Sequence, residues 1–212
     1  MAMDVKKTQK AFYNSATTPT LVDLPELTFL MVDGRGDPNT AASYFAAIES
    51  LYTVAYAIKM SKMSSWRIDG YEDFVVPPLE GLWSTVDDKP FQTGVTNKDD
   101  LTWTSMVQMP SFVTQPVFDQ TVEVVAAKKP EVDVTRIRLD QLTEGSCAQI
   151  LHIGPYDSEP ATIAVLEQFI EAQGRTIDLG HGRRHHEIYL SDPRRVAQDK
   201  LKTIIRLPVA PR

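Results

Sequence analysis

The sequence predicts an α+β fold, made by tandem duplication of a strand-helix-strand-strand unit with pseudo-two-fold symmetry and a central groove. Three local matches between the two halves of the chain, which occur in the same order, predict it. Each match is weak alone, but a shared order is what a duplication produces. The matched pairs are residues 29–39 (FLMVDGRGDPN) with 149–160 (QILHIGPYDSEP), residues 78–83 (PLEGLW) with 185–190 (HHEIYL), and residues 105–110 (SMVQMP) with 203–208 (TIIRLP).

The first half begins, after a polar and loosely packed lead-in over residues 1–20, with a buried strand at residues 27–32. A glycine turn at residues 33–39 ends this strand. A helix follows over about residues 40–63, because its apolar side chains recur at three- and four-residue spacing. The other elements are strands at residues 74–85 and 101–109, joined by a polar loop with Asp87, Asp88, Lys89, Pro90 and Gly94, and a helical segment at residues 116–128.

The second half repeats this order, with a strand at residues 145–153 and a helix at residues 161–172 that ends at Gly174. We expect the helices to cover one face of the sheet and the seam between the halves to form a concave ligand site. The remaining strands are residues 185–190 and 203–207. The predicted limits are a lead-in over residues 1–20 and one domain over residues 21–212, with halves at about 21–110 and 140–210 and a connecting helix at about 111–130.

Composition narrows the class of partner. The 212 residues carry a net charge of −6, which repels nucleic acid and favours cationic small molecules. The basic residues 183–186 and 194–195 are interrupted by acidic ones, so we interpret them as a solvated rim. No apolar run approaches the roughly 20 residues of a membrane span, and the polar amino terminus lacks a signal-peptide core. With one cysteine, Cys147, the sequence predicts a cytoplasmic protein that binds neither membrane nor nucleic acid.

Glu187 is the leading candidate for a ligand-binding residue. On a strand, Glu187 and Tyr189 share one face while Ile188 and Leu190 share the other. If Ile188 and Leu190 face the helices, the glutamate faces the groove. A partly buried carboxylate needs a cation or hydrogen-bond donors, so it is a plausible anchor. The alternative is a glutamate that is exposed or paired with a neighbouring arginine.

Glu80 is the predicted counterpart of Glu187 in the first half. Two carboxylates near a pseudo-two-fold axis would form an acidic floor, and one could hold the other's proton. The alternative is a surface carboxylate near a strand end.

Aromatic side chains supply the second signal. Tyr52 and Tyr56 lie one helical turn apart, and Trp83 and Trp103 lie on predicted strands. Such rings stack on flat ligands and attract cations. Each of them is equally compatible with core packing.

Metal and nucleophile sites are not predicted. The spacing of His181, His185 and His186 does not match a metal motif, and adjacent strand residues point to opposite faces. His152 and Cys147 are interpreted as structural, and no cofactor is predicted.

Four segments carry a resemblance to a known family. They are residues 51–59 (LYTVAYAIK), 78–83 (PLEGLW), 152–163 (HIGPYDSEPATI) and 185–195 (HHEIYLSDPRR). They resemble GyrI-like small-molecule-binding proteins of the stand-alone subgroup, some of which are similar to cyclopropanoid cyclopropyl hydrolases. The resemblance implies the duplicated fold and a cleft with a central glutamate, which maps onto Glu187. The cage residues are assigned by type and location as Tyr52, Tyr56, Trp83, Trp103 and Tyr189, with Glu80 as a further ligand contact.

Three functions therefore stay open. The first is a protein that binds flat, often cationic aromatic xenobiotics and hydrolyses strained cyclopropane-containing DNA alkylators, with Glu187 as the base and Tyr56 or Tyr189 as the hydrogen-bond donor to the developing oxyanion. The second is a ligand sensor without chemistry. The third is a protein-interaction module such as a gyrase modulator. The sequence makes no prediction of the oligomeric state.

Overall fold

In the part of the chain that the structure describes, seven antiparallel strands form one sheet in the order β4-β1-β3-β2-β6-β7-β5, and a pairing between β4 and β7 closes six of them into a barrel. This computed structural model describes residues 2–64, 66–85, 97–180 and 182–212. The predicted polar loop with Asp87, Asp88, Lys89, Pro90 and Gly94 lies outside the described residues, as does His181. The strands are β1 (Thr20–Arg35), β2 (Leu79–Thr85), β3 (Leu101–Gln108), β4 (Arg138–Ile153), β5 (Arg175–Ile177), β6 (His185–Tyr189) and β7 (Lys202–Pro211).

Three helices pack on the outer face of the barrel. They are α3 (Ala42–Met60), α4 (Gln115–Lys128) and α5 (Glu159–Ala172), each within a few residues of its predicted bounds. In the first half, Leu51 and Ile58 of α3 share a core with Leu30 of β1. In the second, Leu166 of α5 packs with Ile150 of β4. None of the described helices is long and apolar enough to cross a membrane.

The inner face of the barrel is filled by side chains from several strands and from the amino-terminal segment. Two short helices, α1 (Val5–Thr8) and α2 (Lys10–Tyr13), lie in that segment. Val5 and Tyr13 are buried and pack with Ile188 and Ile204. The lead-in predicted to be loosely packed is therefore an anchored part of the core. The segment was predicted to be loosely packed because its few apolar residues stand among many polar ones.

The duplication is confirmed, and equivalent hydrogen bonds define its symmetry. Gly36 N donates to Leu101 O at 2.9 Å in the first half, and Gly154 N donates to Leu201 O at 3.0 Å in the second. Both glycines have a positive φ, 108° and 141°. Equivalent residues of the two halves can therefore be counted along β3 and β7 from the two leucines.

Counting in this way shows that the predicted match of residues 78–83 with residues 185–190 is wrong by one residue. Ser105 and Ile205 lie at equal distances from the leucines and pair with Gly81 and Glu187 respectively. The counterpart of Glu187 is therefore Gly81 and not Glu80. A one-residue slip along a strand moves a side chain to the other face. The matches of residues 29–39 with 149–160 and of residues 105–110 with 203–208 are displaced by two residues. Such a shift keeps each side chain on its predicted face of the sheet.

Candidate functional site

Glu187 lies on the outer face of β6, at the seam between the helices of the two halves. Its neighbour Tyr189 packs against the core around α3, and residues at the start of α5 act electrostatically on both. Ile188 faces the barrel interior and not the long helices. The helices therefore share a face with Glu187, whereas the sequence pattern predicted them on the opposite face.

The Glu187 carboxylate is held by two neighbours on its own strand. Tyr189 Oη donates to Oε2 at 2.7 Å, and His185 Nε2 lies 3.0 Å from Oε1. The residue is 6% exposed, and Arg183 and Arg184 bond to Asp178 and Thr104. Neither alternative from the sequence, full exposure or an arginine pair, describes this carboxylate. It is a buried acceptor with its donors preorganised.

Trp83 and Tyr189 link the two halves above this carboxylate. Trp83 Nε1 donates to Tyr189 Oη at 3.0 Å, which completes a chain of hydrogen bonds from Trp83 to Glu187. Each residue stands two places beyond the Gly81–Glu187 pair, so the two rings are symmetry counterparts. Burial, then the charge of Glu187, raises the pKa of Tyr189 well above its usual value. Its hydroxyl therefore stays protonated and available as a donor.

Tyr44 of α3 is a member of this cluster that sequence reasoning missed. Its ring meets Trp103 edge-on at 5.0 Å between centroids and lies 6.0 Å from Trp83. Burial, with the charge of Glu187 second, raises the Tyr44 pKa. Trp103 itself is 1% exposed and fills the space above Gly34, so it supports the cluster from the core. Tyr44 was overlooked because it begins the helical stripe, where an aromatic residue is ordinary core.

The two tyrosines predicted on α3 lie together, and Tyr52 packs against the core around that helix. The rings of Tyr52 and Tyr56 are 6.2 Å apart, and Tyr56 is 51% exposed. Burial, then Tyr56, raises the pKa of Tyr52 to about 12. Among the described residues, no hydrogen bond joins either tyrosine to Glu187, so the donor role of Tyr56 stays a prediction.

Tyr156, just before α5, and Glu159, the first residue of α5, are two further residues that were missed. Glu159 is buried, and burial followed by the charge of Glu187 raises its pKa to about 10. The Tyr156 ring meets Tyr189 edge-on at 5.9 Å and is 37% exposed. Both residues lie in the segment 152–163 that carries the family resemblance, which was the available signal. A glutamate in the first turn of a helix is common, however, and it drew no attention.

Glu80 lies on the inner face, on the opposite side of the sheet from Glu187. Tyr13 Oη donates to its Oε1 at 2.6 Å, and His186 Nε2 lies 3.0 Å from its Oε2. The structure therefore does not form the predicted acidic floor from Glu80 and Glu187. The residue belongs to a buried ionic network within the barrel.

His186 is the centre of that network. Its Nδ1 lies 2.9 Å from Glu144 Oε1, and Arg206 Nη1 donates to Glu144 Oε2 at 2.8 Å. Burial lowers the pKa of His186, but the charge of Glu144 and the hydrogen bonds to Glu144 and Glu80 outweigh it and raise the pKa overall. The histidine and arginine thus neutralise the two glutamates.

Metal ligation gains no support from the arrangement of the histidines. His185 and His186 point to opposite faces, as expected for adjacent strand residues, and each lies against a glutamate. Among the described residues, no group of three or more potential ligands could hold a metal ion. Burial raises the pKa of the Cys147 thiol to about 12, which suits a packing role.

Comparison with known proteins identifies close relatives of this arrangement. A model of the GyrI-like small-molecule-binding domain matches residues 17–210. A hydrolase from Listeria innocua is 46% identical and has a TM-score of 0.89, with 98% of this chain and 100% of that chain covered. An uncharacterized conserved protein from Listeria innocua is 48% identical, with a TM-score of 0.92 and the same coverage.

More distant matches give the fold alone. The EcmrR C-terminal domain is 14% identical with a TM-score of 0.53, and the match covers 92% of this chain and 98% of that domain. No curated protein matches the chain.

Proposed function

The chain belongs to the GyrI-like small-molecule-binding family, and on that premise we propose that it binds flat aromatic, often cationic xenobiotics at Glu187 and hydrolyses strained cyclopropane-containing alkylators. The observation that carries the proposal is the buried Glu187 carboxylate among aromatic rings. A carboxylate in such surroundings attracts a cation strongly, because little water screens it. The name of the Listeria innocua hydrolase supports a hydrolytic activity.

The rings around Glu187 provide stacking surfaces for a flat ligand. Trp83 and Tyr189 form a hydrogen-bonded chain to the carboxylate, and Tyr52 and Tyr56 are two adjacent rings on α3. Because Glu187 is 6% exposed, a ligand must displace one ring to reach it. Tyr156, 37% exposed and resting edge-on against Tyr189, is the ring best placed to move.

Hydrolysis needs a base for water and a donor for the oxygen that gains charge. In a cyclopropane fused to a dienone, water forms a bond to the ring methylene and its proton passes to Glu187. The broken C–C electron pair moves through the conjugated system to the carbonyl oxygen, which becomes a phenol after protonation. The Tyr189 hydroxyl already donates a hydrogen bond to Glu187. It therefore orients the base in the resting protein and can serve the oxygen only after turning away.

The experiment that tests the proposal compares wild type with Glu187→Gln, with Glu167→Gln on the exposed face of α5 as the control. A cyclopropane-fused cyclohexadienone is incubated with each protein, and the product one water heavier is measured by mass spectrometry. We expect turnover to fall by about 10²–10⁴-fold in Glu187→Gln alone. Calorimetry with a rhodamine dye should give binding near micromolar, roughly −8 kcal/mol.

The outcomes separate the remaining functions. Dye binding without turnover in wild type would leave a binding protein or sensor and reject the hydrolase. Neither binding nor turnover in folded wild type would reject the proposal as a whole.

A further inference from the structure

Glu159 is a buried carboxyl group that forms no ion pair with any of the described residues. It is the first residue of α5 and is 7% exposed, and its Oε1 has no hydrogen-bond partner among the described residues. The titratable groups that act on it or respond to it are acids: Glu187 and Tyr189 of β6, and Tyr156 and Asp157 just before α5. From β7, the uncharged Thr203 faces it. An unpartnered carboxyl oxygen in these surroundings needs a proton or a ligand.

The proton of this acidic pair belongs on Glu159. Both carboxyl groups are buried, and the charge of Glu187 makes a second negative charge on Glu159 less favourable. Glu187 accepts from Tyr189 and lies beside His185 Nε2, and such donors stabilise the anion. For Glu159, the Thr203 hydroxyl favours the anion, but burial and the charge of Glu187 outweigh it. The positive end of the α5 dipole favours a charged Glu159, but this effect is worth only about 0.3–1 kcal/mol, less than the burial of a carboxylate.

We propose that Glu159 is held as a neutral carboxylic acid at this site and acts as the proton donor, while Glu187, held by Tyr189 and His185, acts as the base. The inference rests on the proposed function for its ligand and adds the ligand's chemical class. A site with one negative charge and one acidic proton accepts flat molecules that carry a single positive charge or a conjugated carbonyl oxygen. The carbonyl oxygen accepts the Glu159 proton.

The pair also balances the proposed reaction. Water adds to the strained methylene and gives its proton to Glu187, while the C–C electron pair reaches the carbonyl oxygen and takes the proton of Glu159. The product is a neutral phenol bearing a new alcohol. The protein is left with neutral Glu187 and ionised Glu159, and the starting state is restored when Glu187 releases a proton to water and Glu159 takes one up from water.

The protonation state is tested without any ligand. The infrared carbonyl band of a protonated carboxylic acid is recorded at pH 7 for wild type, Glu159→Gln and the α5 surface control Glu167→Gln. We expect the band in wild type and in Glu167→Gln and its loss in Glu159→Gln. Its absence from wild type, or its persistence in Glu159→Gln, would overturn the proposal.

The donor role is tested with two neutral flat probes, acridone, which carries a carbonyl acceptor, and anthracene, which does not. We expect Glu159→Leu to weaken acridone binding about tenfold and to leave anthracene binding unchanged, because one hydrogen bond is lost. Glu159→Gln keeps an N–H donor and should bind acridone within about twofold of wild type, while turnover of the cyclopropane dienone falls about 10²–10⁴-fold. Equal losses for both probes would show a packing role and overturn the proposal.

A failure of the proposed function looks different. If wild type bound no dye and neither neutral probe, the groove would not be the ligand site and the donor role would fall with it. The infrared band would still decide the protonation of Glu159.

Discussion

Gly81 and Glu187 pair directly across the ladder between β2 and β6, and they are counterparts in the two halves. The duplication therefore places one carboxylate at the symmetry axis, and the position of the second is a glycine without a side chain. A Cβ atom at Gly81 would lie 2.9 Å from Trp83 Nε1 and 3.2 Å from Tyr189 Oη. The missing side chain is what lets these two residues meet above Glu187.

Gly81→Ala should disturb the donors of Glu187 without touching Glu187 itself. We expect rhodamine binding to weaken about tenfold, equivalent to one hydrogen bond of about 1.4 kcal/mol, because the methyl group separates Trp83 from Tyr189. Trp83→Phe removes the same N–H without adding an atom and should weaken binding to a similar extent. Calorimetry on both variants measures this, and unchanged affinity in a folded Gly81→Ala protein would contradict the interpretation.

The order of elements was predictable because repeated strands, glycine turns and helical stripes leave local signals. The helix at α3 and the turn at Gly154 are such cases. The side of the sheet on which Glu80 lies was not predictable, because PLEGLW and HHEIYL align almost equally well at two registers. Successive side chains on a strand point to opposite faces. An alignment error of one residue therefore predicted Glu80 in the groove, whereas it lies in the barrel interior.

The closed barrel and its occupied interior also escaped sequence reasoning. Strand closure depends on the pairing of β4 with β7, which are far apart in sequence. The interior partners of Glu80 come from the amino-terminal segment through Tyr13 and from β6 through His186. Polar residues from several distant segments give no local pattern that marks them as buried.

Replacement by glutamine should mainly lower stability at Glu80 and mainly weaken ligand binding at Glu187. Glu80→Gln removes a charge that faces buried His186, so we expect the free energy of unfolding to fall by about 3–5 kcal/mol, with rhodamine affinity unchanged at a temperature where the variant is folded. Glu187→Gln should weaken rhodamine by about 1–3 kcal/mol with a smaller loss of stability. Chemical denaturation and calorimetry measure the two effects. Weaker dye binding in Glu80→Gln would contradict the separation of the two faces.

Glu144 should make the protein sensitive to acid. Burial raises its pKa, but His186 and Arg206 outweigh burial and lower the pKa from 4.5 to about 2. The stabilisation by ionised Glu144 is therefore complete above about pH 4.5 and is lost as the pH falls toward 2. We expect the difference in unfolding free energy between wild type and Glu144→Gln to shrink over this range. For the exposed Glu167→Gln control the difference should stay constant, and a constant difference for Glu144→Gln would contradict the assignment.

Glu159 should produce the opposite pH dependence. Burial and the charge of Glu187 raise its pKa from 4.5 to about 10, so folding favours its protonated form. Stability from this group is complete below about pH 4.5 and is lost as the pH rises toward 10, because the unfolded chain gives up the proton first. One such proton changes the unfolding free energy by at most about 1.4 kcal/mol per pH unit. Glu159→Gln has no proton to lose, so its free energy of unfolding should rise relative to that of wild type by about 1–3 kcal/mol between pH 6 and pH 8. Denaturant unfolding at several pH values measures this difference, with Glu167→Gln as the control that should remain parallel to wild type. Parallel curves for Glu159→Gln would mean that Glu159 is already ionised in the folded protein.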